Sequence, residues 1–324
     1  MKLRVLFGLA FVAVLLVVTT GAGAVVTITE FPSPTPGSQP AGITFSFDGN
    51  LWFTEYNGNK IGRITLQGVI TEFSIPTPDS RPLGITFGFD GNVWFTEQIG
   101  NKIGRITRQG VITEFSIPTP DSQPVGITFG FDGNLWFTEY NGNKIGRMTP
   151  QGVFTEFPIT TFFSAPGGIT SDFDGNLWFT EEIGNKIGQM TLQGVITEFS
   201  IPTAGSVPAG IMSDFDGNLW FTEYYGNKIG RMTPQGAFTE FPVPTADSFP
   251  AFITFGFDGN LWFTEQAGNK IGRMTPQGVF AEFPVPTAGS GPYGIAAGFD
   301  HNLWFTEQYG NKIGRIAVSH PRRE

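Results

Sequence analysis

The sequence predicts an all-β, seven-bladed β-propeller of four-stranded antiparallel blades, on three observations. Trp52, Trp94, Trp136, Trp178, Trp220, Trp262 and Trp304 are all seven tryptophans of the 324-residue chain, and every step between them is 42 residues. A period of ~40–45 residues with four short β-rich runs per unit marks a propeller blade. Gly (44 residues) and Pro (24 residues) recur inside every unit, which leaves no amphipathic helical stripe and excludes a helical HEAT or armadillo array of similar period.

Taken in chain order, residues 1–24 read as a secretion signal. Lys2 and Arg4 form the positive start, Val5 to Val18 an apolar run of 14, and Ala22-Gly23-Ala24 a small-residue cleavage site. A spanning helix needs ~20 apolar residues, and this run breaks at Thr19-Thr20-Gly21, so cleavage is preferred to retention as an anchor. Loss of Lys2 and Arg4 takes the formal charge from −9 to −11. The expected product is secreted or periplasmic, off the membrane, and monomeric.

Residues 84 to 115 illustrate one unit. Gly84 to Phe89 is a β-rich run, and Asp90-Gly91 is a hairpin signal. Val93 to Glu97 is the second strand, with Trp94 and Thr96 on one face and Val93 and Phe95 on the other. Gln98 to Asn101 turns the chain, Lys102 to Thr107 is the third strand, and Val111 to Ile117 the fourth. The motif ITEF or a close variant begins at residues 28, 70, 112, 154, 196, 238 and 280, and none follows Trp304. The chain thus starts with a spare fourth strand, Ile28 to Phe31, and ends lacking one. Pairing it with Lys312 to Ala317 closes the ring and removes an open edge. The propeller spans 25–317, with a polar tail at 318–324.

Charge and composition narrow the function. Lys plus Arg is 19 against Asp plus Glu 28, so no basic face is available for a nucleic-acid partner. Zero cysteines exclude disulfides, thiolate metal sites and cysteine nucleophiles. The two histidines, His301 in a hairpin turn and His320 in the tail, read as surface residues. Glu55, Glu97, Glu139, Glu181, Glu223, Glu265 and Glu307 recur once per blade after each Trp. They read as satisfied ion pairs or backbone acceptors in preference to a metal ring, which needs its ligands at short range. The DGN turns lack the spaced acids of a calcium loop, and no phosphate-cradling loop or nucleophile elbow stands out.

The unit ITEFxIPTPxSxPxGITxGxDGNLWFTExxGNKIGRIT resembles the virginiamycin B (streptogramin B) lyase family over all seven repeats. The resemblance implies a propeller that linearises a cyclic depsipeptide antibiotic by elimination at an ester bond, assisted by Mg²⁺. Such a reaction needs a base of suitable pKa and a metal to stabilise the developing enolate. The family places two catalytic histidines after the Pro of late xPxGIT segments and a Glu two residues before the second. Matched residue by residue, those positions are Ala251, Tyr293 and Gly291; a further family Glu falls near Glu307 or Gln308. The catalytic residues are therefore unassigned, with Glu265 and Glu307 the remaining candidates. No metal site is assigned, Mg²⁺ being implied by the resemblance alone.

The units differ most in two loops that open on one face of a propeller. All six tyrosines fall there: Tyr56, Tyr140, Tyr224, Tyr225 and Tyr309 after the WFTE Glu, and Tyr293 in the xPxG loop. Phe162, Phe163, Phe249 and Phe252 join them. Tyr supplies apolar area plus a hydrogen-bonding tip, so this set is a candidate binding face for a small molecule, peptide or protein. The expectation is a lyase-like binding or interaction scaffold. The alternative is an active streptogramin B lyase with a rearranged site, and a hydrolase related to lactonase propellers comes third.

Overall fold

Every residue of Leu51–Glu55 is buried, and the same holds for the equivalent strand of each blade. A five-residue strand achieves this only as the middle of a sheet covered on both faces. Trp52 packs with Val93 and Phe95 of the following blade, and Trp304 packs with Leu51 and Phe53 across the closure. The core is accordingly seven inter-blade layers, and no blade buries its tryptophan alone. Across the sheet, Arg63 lies 5.5 Å over the Trp52 ring, which stacks in turn on Phe73 at 5.6 Å.

The computed structural model describes residues 15–19 and 25–319, and no helix occurs among them. Blade one comprises Pro40–Phe45, Leu51–Glu55, Lys60–Ile64 and Ile70–Ser74, paired in that order. Five further blades repeat it, and the seventh combines Pro292–Ala297, Leu303–Glu307 and Lys312–Ser319 with the N-terminal Val25–Pro32. Register pairs Ile28 with Ile316 and Glu30 with Gly314, the closure that motif counting predicts. The expected strands are present, each boundary within two residues of expectation: the third and fourth are trimmed to Lys102–Ile106 and Ile112–Ser116, and the innermost runs Pro82–Phe87 in place of Gly84–Phe89, because a register break between Pro82 and Ile85 lets the chain bend without ending the strand.

Both ends depart from expectation. The last strand runs to Ser319, so the sheet takes in two residues assigned to the polar tail; the rest of that tail, with His320, lies outside the described residues. Leu15–Thr19, inside the expected signal, pairs antiparallel with Val25–Thr29 as a fifth, outermost strand of blade seven. The cleavage site Ala22-Gly23-Ala24 lies outside the described residues.

Two hydrogen-bond cycles link the blades. Each central-strand Thr accepts from the backbone N–H of its own inner strand and donates to a carbonyl of the next. Thr138 takes the Gly126 N–H at 2.8 Å and reaches the Gly167 carbonyl at 2.7 Å, and Thr306 closes the cycle on Ala41 at 2.6 Å. Farther out, each ITEF-type Glu clasps the loop of the previous unit. Glu156 accepts from the Thr119 N–H and hydroxyl and pairs with Lys144 at 2.8 Å. On the face opposite the tyrosines, one exposed Phe per blade (Phe47, Phe89, Phe131, Phe173, Phe215, Phe257 and Phe299) projects from each hairpin. His301 stands in the last of these hairpins at φ +61°, against Phe257, and is exposed.

Candidate functional site

The turn after each central strand fixes one side chain at the mouth of the axial channel. Its backbone N–H donates to the incoming loop, as Tyr56 does to the Gln39 carbonyl at 3.0 Å and Glu182 to that of Ala165 at 3.0 Å. Around the mouth these side chains are Tyr56, Gln98, Tyr140, Glu182, Tyr224, Gln266 and Gln308. Neighbours along this ring bond to one another: Tyr56 Oη to Gln98 at 2.9 Å, Tyr224 Oη to Gln266 at 2.6 Å, and Gln266 Nε2 to Gln308 at 3.0 Å.

Below the ring come the second residues of the inner strands, all but Ala41 lining the channel or the cavity at its mouth. Most are small or aliphatic: Ala41, Leu83, Val125, Gly167, Ala209 and Ala251. The exception is Tyr293, which lies in the strand Pro292–Ala297 and not in a loop as the sequence reading has it. Phe252, where other blades have Gly, meets Tyr293 edge-on at 4.9 Å, and the two rings wall one side. Gly167 leaves a gap on the other side, and Glu182 fills it, its Oε1 only 2.4 Å from where a Cβ on Gly167 would stand. The result is a cavity of about 390 Å³ lined by Tyr140, Glu182, Tyr224, Tyr225, Phe252 and Tyr293, with Gln266 and small apolar residues between them.

Glu182 is the lining carboxylate, and burial pushes it up to about 7. Burial also raises Tyr140, Tyr224 and Tyr293, reinforced at each by the Glu182 charge. Glu182 is absent from the residues that the sequence singles out. The available signal was paired: blade four alone puts an acid at the mouth position, and it alone puts Gly at the channel position beside it.

The structure separates the other expected site residues. Tyr140, Tyr224, Tyr225, Phe252 and Tyr293 converge on the cavity, and Phe249 stacks on Tyr224 at 5.0 Å. Tyr56 stands at the mouth beneath the Arg81 guanidinium, 5.2 Å away. Tyr309 is held against Gly291, while Phe162 and Phe163 pair with each other, exposed and outside the cavity lining. Ala251 lines the cavity, and its carbonyl accepts from Thr222 at 2.7 Å. Gly291 adopts φ +60°, and a Cβ there would stand 2.4 Å from the Tyr309 ring.

Glu265 and Glu307 do not reach the cavity. They and the five equivalent acids have no exposed surface and lie under the turn glycines. The expectation that these seven are satisfied ion pairs or backbone acceptors is corrected. Each is opposite a Lys in register, as Glu97 is to Lys102, but Lys102 turns away to Glu114 at 3.0 Å. Both carboxylate oxygens of six of them find no hydrogen-bond partner; Glu55, which accepts from Ser33, leaves one unpartnered. Burial, aided by the neighbouring outer Glu, raises Glu97, Glu265 and Glu307 to about 8 and Glu139 to about 7.

Among the described residues no three His, Cys, Asp or Glu groups converge, and the cavity supplies one carboxylate, Glu182, so a Mg²⁺ held there would take most of its oxygen ligands from water or a bound ligand.

With the architecture and the altered mouth in hand, comparison with known proteins decides the family. The model of the Virginiamycin B lyase family matches residues 19–166 and 162–322. The chain belongs to the virginiamycin B lyase family. A streptogramin B lyase structure is 41% identical, covering 91% of this chain and 98% of that one, with a TM-score of 0.88. A catalytically inactive histidine-to-alanine variant of virginiamycin B lyase from Staphylococcus aureus, solved with quinupristin, is 44% identical over 91% of this chain and all of that one, with a TM-score of 0.87. The match to virginiamycin B lyase of Bacillus licheniformis is 49% identical over 43 residues, 13% of this chain and 15% of that one.

Proposed function

We propose that this virginiamycin B lyase-like propeller is an exported binding protein whose aromatic cup takes a small ligand, and that it is not an efficient streptogramin lyase. The observation that carries this reading is what stands where the resemblance implies histidines: Ala251 has no titratable group, and burial drives the Tyr293 phenol upward from its ordinary value. General-base catalysis contributes ~10²–10⁴-fold, and a phenol raised above ~10 is protonated at neutral pH. His301 opens on the other face and cannot stand in. The relative inactivated by one histidine-to-alanine change supports the same weighting.

A second reading, ring opening of a cyclic depsipeptide, is favoured by one observation: Glu182 is a carboxyl near neutrality inside the cup. The assay is ring opening of a streptogramin B with excess Mg²⁺. We expect no efficient turnover by the unaltered protein, and robust Mg²⁺-dependent elimination would reinstate the lyase. A revertant carrying Ala251→His, Tyr293→His and Gly291→Glu also needs Tyr309→Ala, because the Tyr309 ring occupies the space of the new side chain.

A further inference from the structure

Three mouth positions carry tyrosine, and the blade after each supplies two neighbours at fixed offsets, 25 and 42 residues on. For Tyr56 these are Arg81, its guanidinium 5.2 Å from the ring centroid, and Gln98, which accepts the hydroxyl. For Tyr224 they are Phe249, stacked on the ring, and Gln266, which again accepts the hydroxyl. For Tyr140 they are Ala165 and Glu182. Where blade two places a cation over the ring, blade four places a methyl group, and where the others place a neutral amide it places a carboxylate. The cavity includes this corner, and no Lys, Arg or His lines it.

We propose that the Tyr140–Glu182 corner binds an organic ammonium group, the ligand's cation taking over Tyr140 the place that Arg81 holds over Tyr56. This rests on the reading of the cup as a ligand site and names the chemistry it selects. The face of an aromatic ring attracts ammonium, more strongly when both are shielded from water. A carboxylate in an apolar, aromatic wall has little else to neutralise it. Tyr224, Tyr293 and Phe252 supply the remaining aromatic surface, and the Gly167 gap lets the Glu182 carboxylate lean into the channel.

Binding should strengthen between pH 5.5 and 8.5, as Glu182 ionises from about 7. The groups facing it, Tyr140, Tyr224 and Tyr293, stay protonated across that range. Glu181, its neighbour in the chain, is buried under the Gly184 turn.

The test is calorimetric titration of the full chain with choline and with 3,3-dimethylbutan-1-ol, its uncharged analogue of the same shape. We expect choline to bind at least tenfold tighter than the alcohol at pH 8. Glu182→Gln should remove most of that preference and most of its pH dependence. Ala165→Arg should abolish choline binding by supplying the cation internally; Ala165 (φ +51°) and Arg81 (φ +55°) share one backbone conformation, so the new side chain has the same starting geometry. Equal binding of both probes, unaffected by Glu182→Gln, overturns the ammonium proposal and leaves an apolar cup. Binding of neither overturns the proposal, and only failure of the cup to take any aromatic or peptide ligand reaches the underlying reading.

Discussion

Glu139 lies in the middle of a sheet with both oxygens unpartnered, and its six counterparts share the arrangement almost unchanged. A carboxyl held at about 7 or 8 keeps its proton in the fold while the unfolded chain, near 4.5, releases it. Each such group therefore contributes stability that is lost as pH rises from about 4.5 through 7 to 8. The outer acids act in the opposite sense. Burial raises Glu156, but hydrogen bonds from Lys144 and Thr119 outweigh it and hold the group below its ordinary value, so its contribution is lost in acid. The balance predicts a higher Tm at pH 5.5 than at pH 9, measurable by calorimetry in matched ionic strength. Glu139→Gln should add about 1–2 kcal/mol at pH 9 and little at pH 5.5. A Tm that rises steadily to pH 9 would contradict it. At the cup, Tyr224→Ala with Tyr293→Ala should remove ligand binding while the far-ultraviolet spectrum stays native.

A propeller blade holds its neighbours through strand-level contacts that recur in every unit. Thr138 satisfies one buried N–H and one carbonyl at once, and Thr138→Val strips both without changing shape. A cost of about 2 kcal/mol is expected in urea unfolding, since unpaired buried groups are more costly than a lost hydrogen bond. The third strand carries a different constraint. A Cβ at Gly146 would stand 2.1 Å from Phe137 Cζ, so the tip of the ring sits directly on bare backbone. Gly146→Ala must displace a fully buried Phe, and about 1–3 kcal/mol of overpacking follows. An alanine tolerated there without loss would mean that the Phe137 layer is looser than its contacts imply.

Closure is the property of the whole disc. Val25–Pro32 fills the outer place of blade seven, and Glu30 joins it to Lys312 at 2.6 Å and to Thr287. Deleting Val25 to Phe31 should expose the edge of Lys312–Ser319, lower Tm markedly and promote self-association. An unchanged melting temperature would show that the ring closes without it. Removal of residues 1–24 alone takes away the fifth strand Leu15–Thr19 but leaves the four-stranded blade complete, and should lower Tm far less.

The 42-residue spacing of tryptophan, the punctuation by Gly and Pro, and the surplus ITEF motif determined the fold, the blade boundaries and the closure. They did so because a propeller repeats local chemistry, and each strand's alternation is set by residues near it in the chain. The clustering of Tyr140, Tyr224 and Tyr293 was legible for the same reason, as departures from a repeat at equivalent positions. Three things were decided only by tertiary structure. The lysines chose the outer acids over the inner ones, because side-chain direction across a sheet depends on which neighbour has room. Tyr293 entered the channel as a strand residue, because a register break admits Pro292 to the inner strand. Glu182 acquired its raised pKa and its place in the cup from a gap at Gly167 and from aromatic rings on other blades. Burial and charge at that point are sums over chain segments far apart in sequence, and only closing the ring brings them together.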